Sequence, residues 1–409
     1  MCSQFVRSLV LVGLLVAPTS SSAQTISLTE AQALEQLAPD NPRVRAINAP
    51  VDVARADVLA ARRWPNPRFT FDRESVGGVT EDLTMVGQVL PVTGRRTFEV
   101  SAASALVDAA SGLASQQVRR LRTDLRLAFA DLVAAQQHER ELTVVLARLQ
   151  ELAGVLARRE AAGEAAGFDR LRAERDVLEL DIDRAGAASD RLRAQAILAG
   201  FLLPPASSAT ITAVAPMPAR GVPPPVSELM TRAEQSRGDI AALRHEIDAA
   251  SFSERAAERS RIPEPEVVAG TKSSNIGNGG VGSVVMVHVP IPLFDRARPE
   301  RAAARARRSQ AEAQLESLRA TLRSQITAWR DALIERRATA DRYRATAGPA
   351  AAELERIAQV SYDAGERGIL ELLDANHSAA TARIRQGALD RLVREAEIEL
   401  EFVSGWENP

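Results

Sequence analysis

The stretch "YDAGERGILELLDAN" (Tyr362–Asn376) interrupts a helical pattern for only a few residues. A similar stretch, "REAAGEAAGFDRLRAE" (Arg159–Glu174), occurs in the first half of the chain. Both lie between long alanine-rich runs, and each contains two glycines: Gly365 and Gly368 in one, Gly163 and Gly167 in the other. Glycine after a helical run is typical of a helix end, so each stretch predicts the tip of a helical hairpin. A motif that occurs twice indicates a duplicated chain.

The sequence around the two tips supports this duplication. When Gly163 is aligned with Gly365, an offset of 202 residues, Asp169 falls on Glu371 without a gap. Upstream segments match in the same order at nearly the same offset: "WPNP" (Trp64–Pro67) with "IPEP" (Ile262–Pro265), and "LPVTGRR" (Leu90–Arg96) with "IPLFDRAR" (Ile291–Arg298). We therefore predict two copies of one unit, residues 24–203 and 226–409, joined by a proline-rich linker, residues 204–225.

Each unit is predicted to contain a helix, a strand hairpin, a long helix, a tip and a return helix. The first helix is expected to start at the capping box "SLTE" (Ser27–Glu30), to break at "PDNP" (Pro39–Pro42) and to end near Arg63. The long helix after Gly94 meets no proline before the tip near residue 163, which predicts a length of about 100 Å.

Two strand hairpins are predicted at residues 67–90 and 266–289. Phe69 and Phe71 share one face of the first hairpin, and the other face carries Arg68, Thr70 and Asp72. Two hairpins give four strands, which are too few to close a barrel. If the strands span a bilayer, closure is obligatory because every backbone group must be paired, and three chains would supply twelve strands.

The predicted fold class is mainly α with a small β part, in which long coiled-coil helices carry the two hairpins. The segment "SQITAWRDALIERRATADRY" (Ser324–Tyr343) places four large apolar residues at coiled-coil spacing: Ile326, Trp329, Leu333 and Ile334. Alanine at many other positions would let helices approach closely. Rods of this kind need partners, either within the chain or from other copies.

The N-terminus has the features of a secretory signal peptide, residues 1–23. Arg7 precedes a ten-residue apolar run (Ser8–Ala17), and "SSA" (Ser21–Ala23) supplies the small residues of a cleavage site. A buried N-terminal helix is the alternative. Cys2 is the only cysteine and would be removed with the signal. The mature chain would then lack a disulfide, a thiol nucleophile, a thiolate metal site and a cysteine for lipid attachment.

The sequence contains no pattern typical of an enzyme or of a resident cofactor. The formal net charge of −2 does not favour nucleic acid as a partner. Four histidines are scattered without metal-ligand spacing: His138, His245, His288 and His377. No phosphate loop, nucleophile elbow or HExxH motif occurs. We therefore predict neither catalysis nor a bound metal.

The duplicated unit, "QVLPVTGRR" (Gln88–Arg96), "VPIPLFDRARPE" (Val289–Glu300) and the paired glycine tips together resemble TolC-type outer-membrane efflux channels. The resemblance covers essentially the whole mature chain. It implies a homotrimer with a twelve-strand outer-membrane barrel and a helical tunnel through the periplasm. It also implies a periplasmic adaptor and an inner-membrane RND-type pump that dock at the tips. The segment "PLFDRARPE" favours the subgroup that serves heavy-metal RND pumps.

The same resemblance implies roles for three sets of residues near the tips. Gating links that close the resting tunnel are expected from Asp169, Tyr362 and Arg367. Glu371 and Asp374 would form a ring of carboxylates at the entrance, which favours cations. The adaptor would dock on the four tip glycines: Gly163, Gly167, Gly365 and Gly368. Simpler interpretations stay open, since the carboxylates could offset a helix dipole, Tyr362 and Arg367 could cover a helix end, and the glycines could serve only the turns.

A periplasmic coiled-coil scaffold or adaptor without a membrane barrel is the alternative function. It accounts for the signal peptide and the helices, but it leaves the paired strand hairpins unexplained. Adaptors of this kind usually carry one helical hairpin flanked by β domains rather than two full copies.

Overall fold

The computed structural model describes residues 26–163, 167–202, 211–214 and 221–407. The predicted signal peptide, the predicted mature N-terminus at Gln24 and most of the proline-rich linker lie outside the described residues. Among the described helices, none combines the length and the apolar character that crossing a bilayer requires.

The chain is mainly helical with a smaller β part, and its elements fall into two series of similar order. The first series comprises β1 (Ile26–Leu28), α1 (Glu30–Glu35), α2 (Pro42–Arg62), β2 (Arg68–Val76), β3 (Val79–Val89), α3 (Arg95–Ala161), α4 (Gly167–Ala199) and β4 (Ile211–Ala213). The second series comprises α5 (Val226–Ser236), α6 (Gly238–Arg259), β5 (Glu266–Ser274), β6 (Gly280–His288), α7 (Arg298–Asp363) and α8 (Ile369–Ser404).

The first helix begins at Glu30, so the predicted capping box at Ser27 was wrong. Thr29 is the N-cap: its hydroxyl accepts from the backbone N–H of Gln32 at 3.3 Å, and the Gln32 side chain accepts from the Thr29 N–H at 3.0 Å. Ser27 lies instead in β1, which pairs in parallel with β4 through Ser27 and Thr212. A strand partner so distant in sequence leaves no local signal, and it shifts the helix start by two residues.

Two helices of nearly equal length form the frame of the molecule. Helix α3 has 67 residues and α7 has 66 residues, so each is about 100 Å long. Shorter helices pack along each of them in two halves. Towards the tips the order is α4–α3–α8–α7, and towards the strands the order is α2–α3–α6–α7. The two shorter helices at the outer edge, α2 and α4, therefore follow one another along the same side of α3.

The four longer strands form one antiparallel sheet in the order β2-β3-β5-β6, with one hairpin from each repeat. Strands β2 and β6 are its edges, and neither has a partner on its outer side among the described residues. Phe69 and Phe71 lie opposite Val86 and Thr84 of β3. Both phenylalanines are exposed, which leaves an apolar face of the sheet uncovered by this chain.

The predicted coiled-coil positions of α7 divide between the core and the surface. Ile326 and Leu333 are fully buried in a cluster with α5 and α8, and Trp329 packs against the same cluster. Ile334 is 39% exposed. One residue further along a helix is a rotation of about 100°, which places Ile334 on a side of α7 that the described residues leave largely uncovered.

Acid should weaken the packing of α5 against α7 through Glu234. Arg319 donates to Glu234 at 2.7 and 3.2 Å, and Arg244 also pairs with this carboxylate. The hydrogen bond from Arg319 is the largest cause that holds the pKa of Glu234 below its ordinary value. A lowered folded-state pKa contributes stability above the ordinary pKa, and this contribution disappears as the pH falls through the folded-state pKa.

We therefore expect the stability difference between wild type and Glu234→Gln to shrink between about pH 5 and pH 3. Both arginines are partly exposed, so the difference at neutral pH should stay within about 1 kcal/mol. Urea unfolding in detergent at a series of pH values measures it. Parallel pH dependences for the two proteins would contradict the assignment.

Candidate functional site

The four tip glycines have different backbone conformations, although the sequence presents them as a set. Gly163 and Gly365 have φ values of 77° and 75°, in the left-handed region that favours glycine. Gly167 is the first residue of α4, and Gly368 is the extended N-cap of α8 with φ −78° and ψ 161°. Only Gly163 and Gly365 are thus required by the turn itself.

Gly365 completes a Schellman motif that ends α7. Its N–H donates to the carbonyl of Tyr362 at 2.9 Å, and the N–H of Glu366 donates to the carbonyl of Ser361 at 2.9 Å. At the first tip the N–H of Gly163 donates to the carbonyl of Glu160 at 2.9 Å, the equivalent of the first of these bonds. Residues 164–166, between the two glycines of the first tip, lie outside the described residues.

An arginine clamps the two helices of the first tip together. Arg170 of α4 donates to Glu174 at 2.7 and 2.8 Å and also donates to Glu160 at the end of α3. These hydrogen bonds, that of Glu174 first, raise the pKa of the Arg170 guanidinium. The clamp fixes the start of α4, and Asp169 occupies its first turn in a half-buried position.

The predicted gating residues do not meet one another in the single chain. Among the described residues, no hydrogen bond or ion pair joins Asp169 to Tyr362 or to Arg367. The Arg367 Nε lies 3.7 Å from Glu371 Oε2, one turn along α8. Tyr362 is half-buried instead, with the guanidinium of Arg159 lying 5.7 Å from its ring centre. Their gating role therefore stays a prediction.

The two tips do meet, through apolar residues that the sequence analysis did not single out. Leu156 and Ala173 of the first tip pack with Ile369 and Leu373 of the second, and Tyr362 covers this cluster. The heptad spacing of leucines in the helices next to each tip could have indicated that these leucines are buried. It could not have indicated which helix each leucine packs against. The contact between the two hairpins nearest the tip turns is thus largely apolar.

A groove of about 290 Å³ separates the two hairpins just above this cluster. Asp374 and His377 line it from α8, whereas Glu371 does not, although both predicted entrance carboxylates are exposed. Three further carboxylates line it from α4: Asp176, Glu179 and Asp183. Their spacing in sequence places them along one helix face, a signal that resembles an ordinary solvated surface.

Positively charged arginine side chains also line or border the groove, beside the carboxylates. Arg148 and Arg172 line it, and Arg175 pairs with Asp176 at 2.9 Å and with Glu179 at 3.5 Å. In the part of the chain that the structure describes, no three His, Cys, Asp or Glu side chains are arranged to hold a metal ion. The groove therefore offers a polar, mixed-charge surface between the hairpins.

Comparisons with known proteins bear on the whole chain. The model of the family named outer membrane efflux protein matches residues 229–405. The cobalt-zinc-cadmium resistance protein CzcC of Cupriavidus metallidurans is 26% identical over 363 residues, which are 88% of this chain and 85% of CzcC.

Two solved structures share the fold. A membrane protein from Pseudomonas aeruginosa has a TM-score of 0.77 at 20% identity, with 94% of each chain covered. CusC, described for its conformational changes during folding and transmembrane channel formation, has a TM-score of 0.73 at 16% identity, with 99% of each chain covered. Members of the matched family are channels rather than enzymes, which agrees with the absence of a catalytic motif. The family match in the second repeat, the relative that extends over both repeats and the shared fold together show that this chain is similar to the outer membrane efflux protein family.

Proposed function

We propose that this protein is the outer-membrane channel of a tripartite efflux system and acts as a passive duct. The observation that carries the proposal is that one chain leaves complementary edges open along its whole length. In the described ranges of the chain, strands β2 and β6 are unpaired edges at one end, and helices α4 and α7 are the outer members of the helical layer at the other. Such a chain is an open segment of a larger closed wall.

The outer faces of α4 and α7 favour contact with further copies of the chain. Exposed large apolar side chains follow one side of α4, namely Leu171, Leu178, Ile182 and Leu192. A shorter series follows the lower part of α7, namely Leu354, Ile357 and Val360. These faces lie on opposite edges of one layer, so contact between copies would be head-to-tail. Contacts of that kind form a ring when the rotation closes.

The sheet supports closure by three copies. Four strands of nine to eleven residues match the length that a tilted strand needs to cross a bilayer. Exposed Phe69, Phe71, Val285 and Val287 supply an apolar face suited to lipid. Three chains give twelve strands and leave no edge unpaired, as a bilayer demands. We place the barrel in the outer membrane and the helices in the periplasm.

Crosslinking and membrane extraction test this proposal together. The purified protein should yield a dominant trimer, and the membrane-bound protein should resist extraction by alkaline carbonate. A chain that is released by carbonate and stays monomeric in mild detergent would overturn the proposal. It would favour the alternative, a periplasmic scaffold or adaptor without a barrel.

The tips are the proposed docking surface for a periplasmic adaptor and, through it, for an inner-membrane RND-type pump. Gly368 offers the sharpest test, because an added side chain would meet nothing within 4 Å and its φ of −78° suits any residue. Gly163 and Gly365 are poorer choices, since their positive φ would add about 1–2 kcal/mol of backbone strain to any substitution.

We expect Gly368→Trp to abolish export while the trimer still assembles. Arg232→Trp is the control, because Arg232 is an exposed residue of α5, outside both tips and outside the α4 face that is proposed to contact another copy. Growth of a strain that lacks its own channel, in the presence of an exported toxin, measures the effect. Normal export by Gly368→Trp, or equal loss in the control, would exclude the tip as the docking surface.

Divalent metal cations are the proposed cargo. CzcC carries cobalt-zinc-cadmium resistance in its name, and the carboxylates of the groove and entrance would favour cations in a threefold ring. A strain that depends on this chain should tolerate more cobalt, zinc or cadmium than one without it. Equal sensitivity to all three metals, with export of an organic toxin intact, would exclude metal cargo but leave the duct in place.

A further inference from the structure

Among the described residues, hydrogen bonds and ion pairs between the two helical hairpins stop well short of the tips. Helices α3 and α8 run antiparallel, and arginine–carboxylate pairs join them at intervals: Arg120 with Glu399, Arg126 with Glu401, Arg391 with Asp131 and Arg383 with Glu141. Arg148 makes the last contact of this kind in the described part of the chain. It lies 15 residues before Gly163, which is about 22 Å along the helix.

This last contact joins three helices. Arg148 of α3 donates to Glu355 of α7 and to the Asn376 side chain of α8, the latter at 3.2 Å. Arg383 of α8 donates to Glu355 at 3.2 Å and to Glu141 of α3 at 2.8 Å. We name these five residues the latch. Glu355, at 19% side-chain exposure, is its centre, because it accepts from both arginines.

Helix α7 is continuous but contains a proline six residues before Glu355 of the latch. Pro349 lies inside the helix and follows Gly348. A proline lacks the N–H that would bond the carbonyl of Ala345, and its ring crowds that turn, so proline is a usual cause of helix kinks. Glycine adds backbone freedom at the same place. None of the other three helices that reach the tips, α3, α4 or α8, has an interior proline.

The same part of α7 is also loosely packed. Its buried residues follow one another at short intervals from Ala304 to Ala340, and the next is Ala358. The intervening stretch contains Gly348, Pro349 and the half-buried Glu355, but no fully buried side chain. Within one subunit, little buried apolar area therefore resists a change in the direction of α7 there. Beyond Pro349, the ion pairs that hold α7 to α3 and α8 are those of Glu355 in the latch.

We propose that Gly348 and Pro349 form a hinge in α7, and that the latch holds the lower second hairpin against the first in the resting state. Release of Glu355 lets α7 bend at Pro349 and moves the second tip away from the first. The latch thereby controls the opening of the entrance, in addition to any contact at the tips. This control has a role only within the proposed duct.

A distance between the two tips tests the latch directly. Cys2 is the only cysteine of the chain, so Cys2→Ser with Ala162→Cys and Glu366→Cys allows two spin labels to be placed on exposed positions. Labelled chains diluted into unlabelled chains report the distance within one subunit. If α7 bends by about 20° at Pro349, the second tip lies at the end of an arm of about 20 Å, and the distance between the labels should increase by about 7 Å.

We expect Glu355→Gln to add this longer distance, and Pro349→Ala in the same chain to reduce its population. Glu399→Gln is the matched control, since Glu399 also accepts from an arginine of α3 and is 13% exposed, but lies near the far end of α8. It should leave the distance unchanged. An unchanged distance in Glu355→Gln, or equal lengthening in Glu399→Gln, would overturn the latch.

The measurement separates the latch from the other proposals. It needs no ion flow, so failure of the latch would leave the duct intact, whereas a monomeric chain would refute the duct without reference to Glu355. Tyr362→Phe with Arg367→Ser, measured in the same way, should lengthen the distance less than Glu355→Gln. A longer distance in that tip variant than in Glu355→Gln would assign control to the tips and overturn the latch.

Discussion

Gly238→Ala will destabilise the protein by about 3 kcal/mol, because the first residue of α6 lies directly against α3. A Cβ at Gly238 would stand 2.2 Å from the carbonyl oxygen of Gly112 and 2.4 Å from the Ser115 hydroxyl. The reverse is also true, since a Cβ at Gly112 would stand 2.6 Å from the Gly238 carbonyl oxygen. Backbone atoms cannot move aside as a flexible side chain can, so the helices must separate.

The substitution should weaken the packing between the two repeats, because α3 belongs to the first repeat and α6 to the second. Urea unfolding of the purified protein in detergent measures the loss. Gly186→Ala is the control: this helical glycine has open space, so alanine should stabilise by about 0.5–1 kcal/mol. If Gly238→Ala and Gly186→Ala shift the unfolding midpoint in the same direction, the close crossing of α3 and α6 does not exist as described.

Glu397→Gln is expected to cost about 3 kcal/mol, since it removes the charge from the most buried carboxylate of an ionic network. The side chain of Glu397 is 4% exposed and accepts from Arg337 at 2.6 Å and from Arg394 at 3.2 Å. Arg394 also pairs with Glu30, which in turn accepts from Arg126. The network thus connects α1, α3, α7 and α8, and a neutral Glu397 would leave Arg337 without a carboxylate partner among the described residues.

The control for this variant is Glu228→Gln, at an exposed pair with Arg232 one turn away on α5. That change should cost less than about 0.5 kcal/mol. Replacing Glu397, Arg337 and Arg394 together by methionine should cost less than Glu397→Gln alone, because no buried charge is then left unpaired. Equal unfolding midpoints for Glu397→Gln and Glu228→Gln would show that the network contributes nothing.

The sequence indicated the parts of the fold whose causes are local. Glycines after long helical runs gave the position of both tips, and at Gly163 and Gly365 the turn does require a left-handed backbone. Alternation around Phe69 and Phe71 indicated a strand with one apolar face. These signals depend on the conformation of a few adjacent residues, so a single sequence contains them.

Features that depend on distant partners could not be predicted in this way. Ser27 resembled a helix cap because its strand partner, Thr212, is remote in sequence. Glu355 and Glu397 resembled the many exposed carboxylates near arginines, and only the packing of α3, α7 and α8 shows that they lie between helices. The groove carboxylates Asp176 and Asp183 were missed for the same reason.

Single-channel recording in a planar lipid bilayer tests the central claim, that three copies of this chain form a conducting duct, most directly. We expect trimers of the wild-type protein to insert and to give discrete steps of conductance. Tyr362→Phe with Arg367→Ser should enlarge the steps, because it removes two of the predicted gating links. Intact trimers that insert but leave the current at baseline, both for wild type and for this variant, would contradict the account.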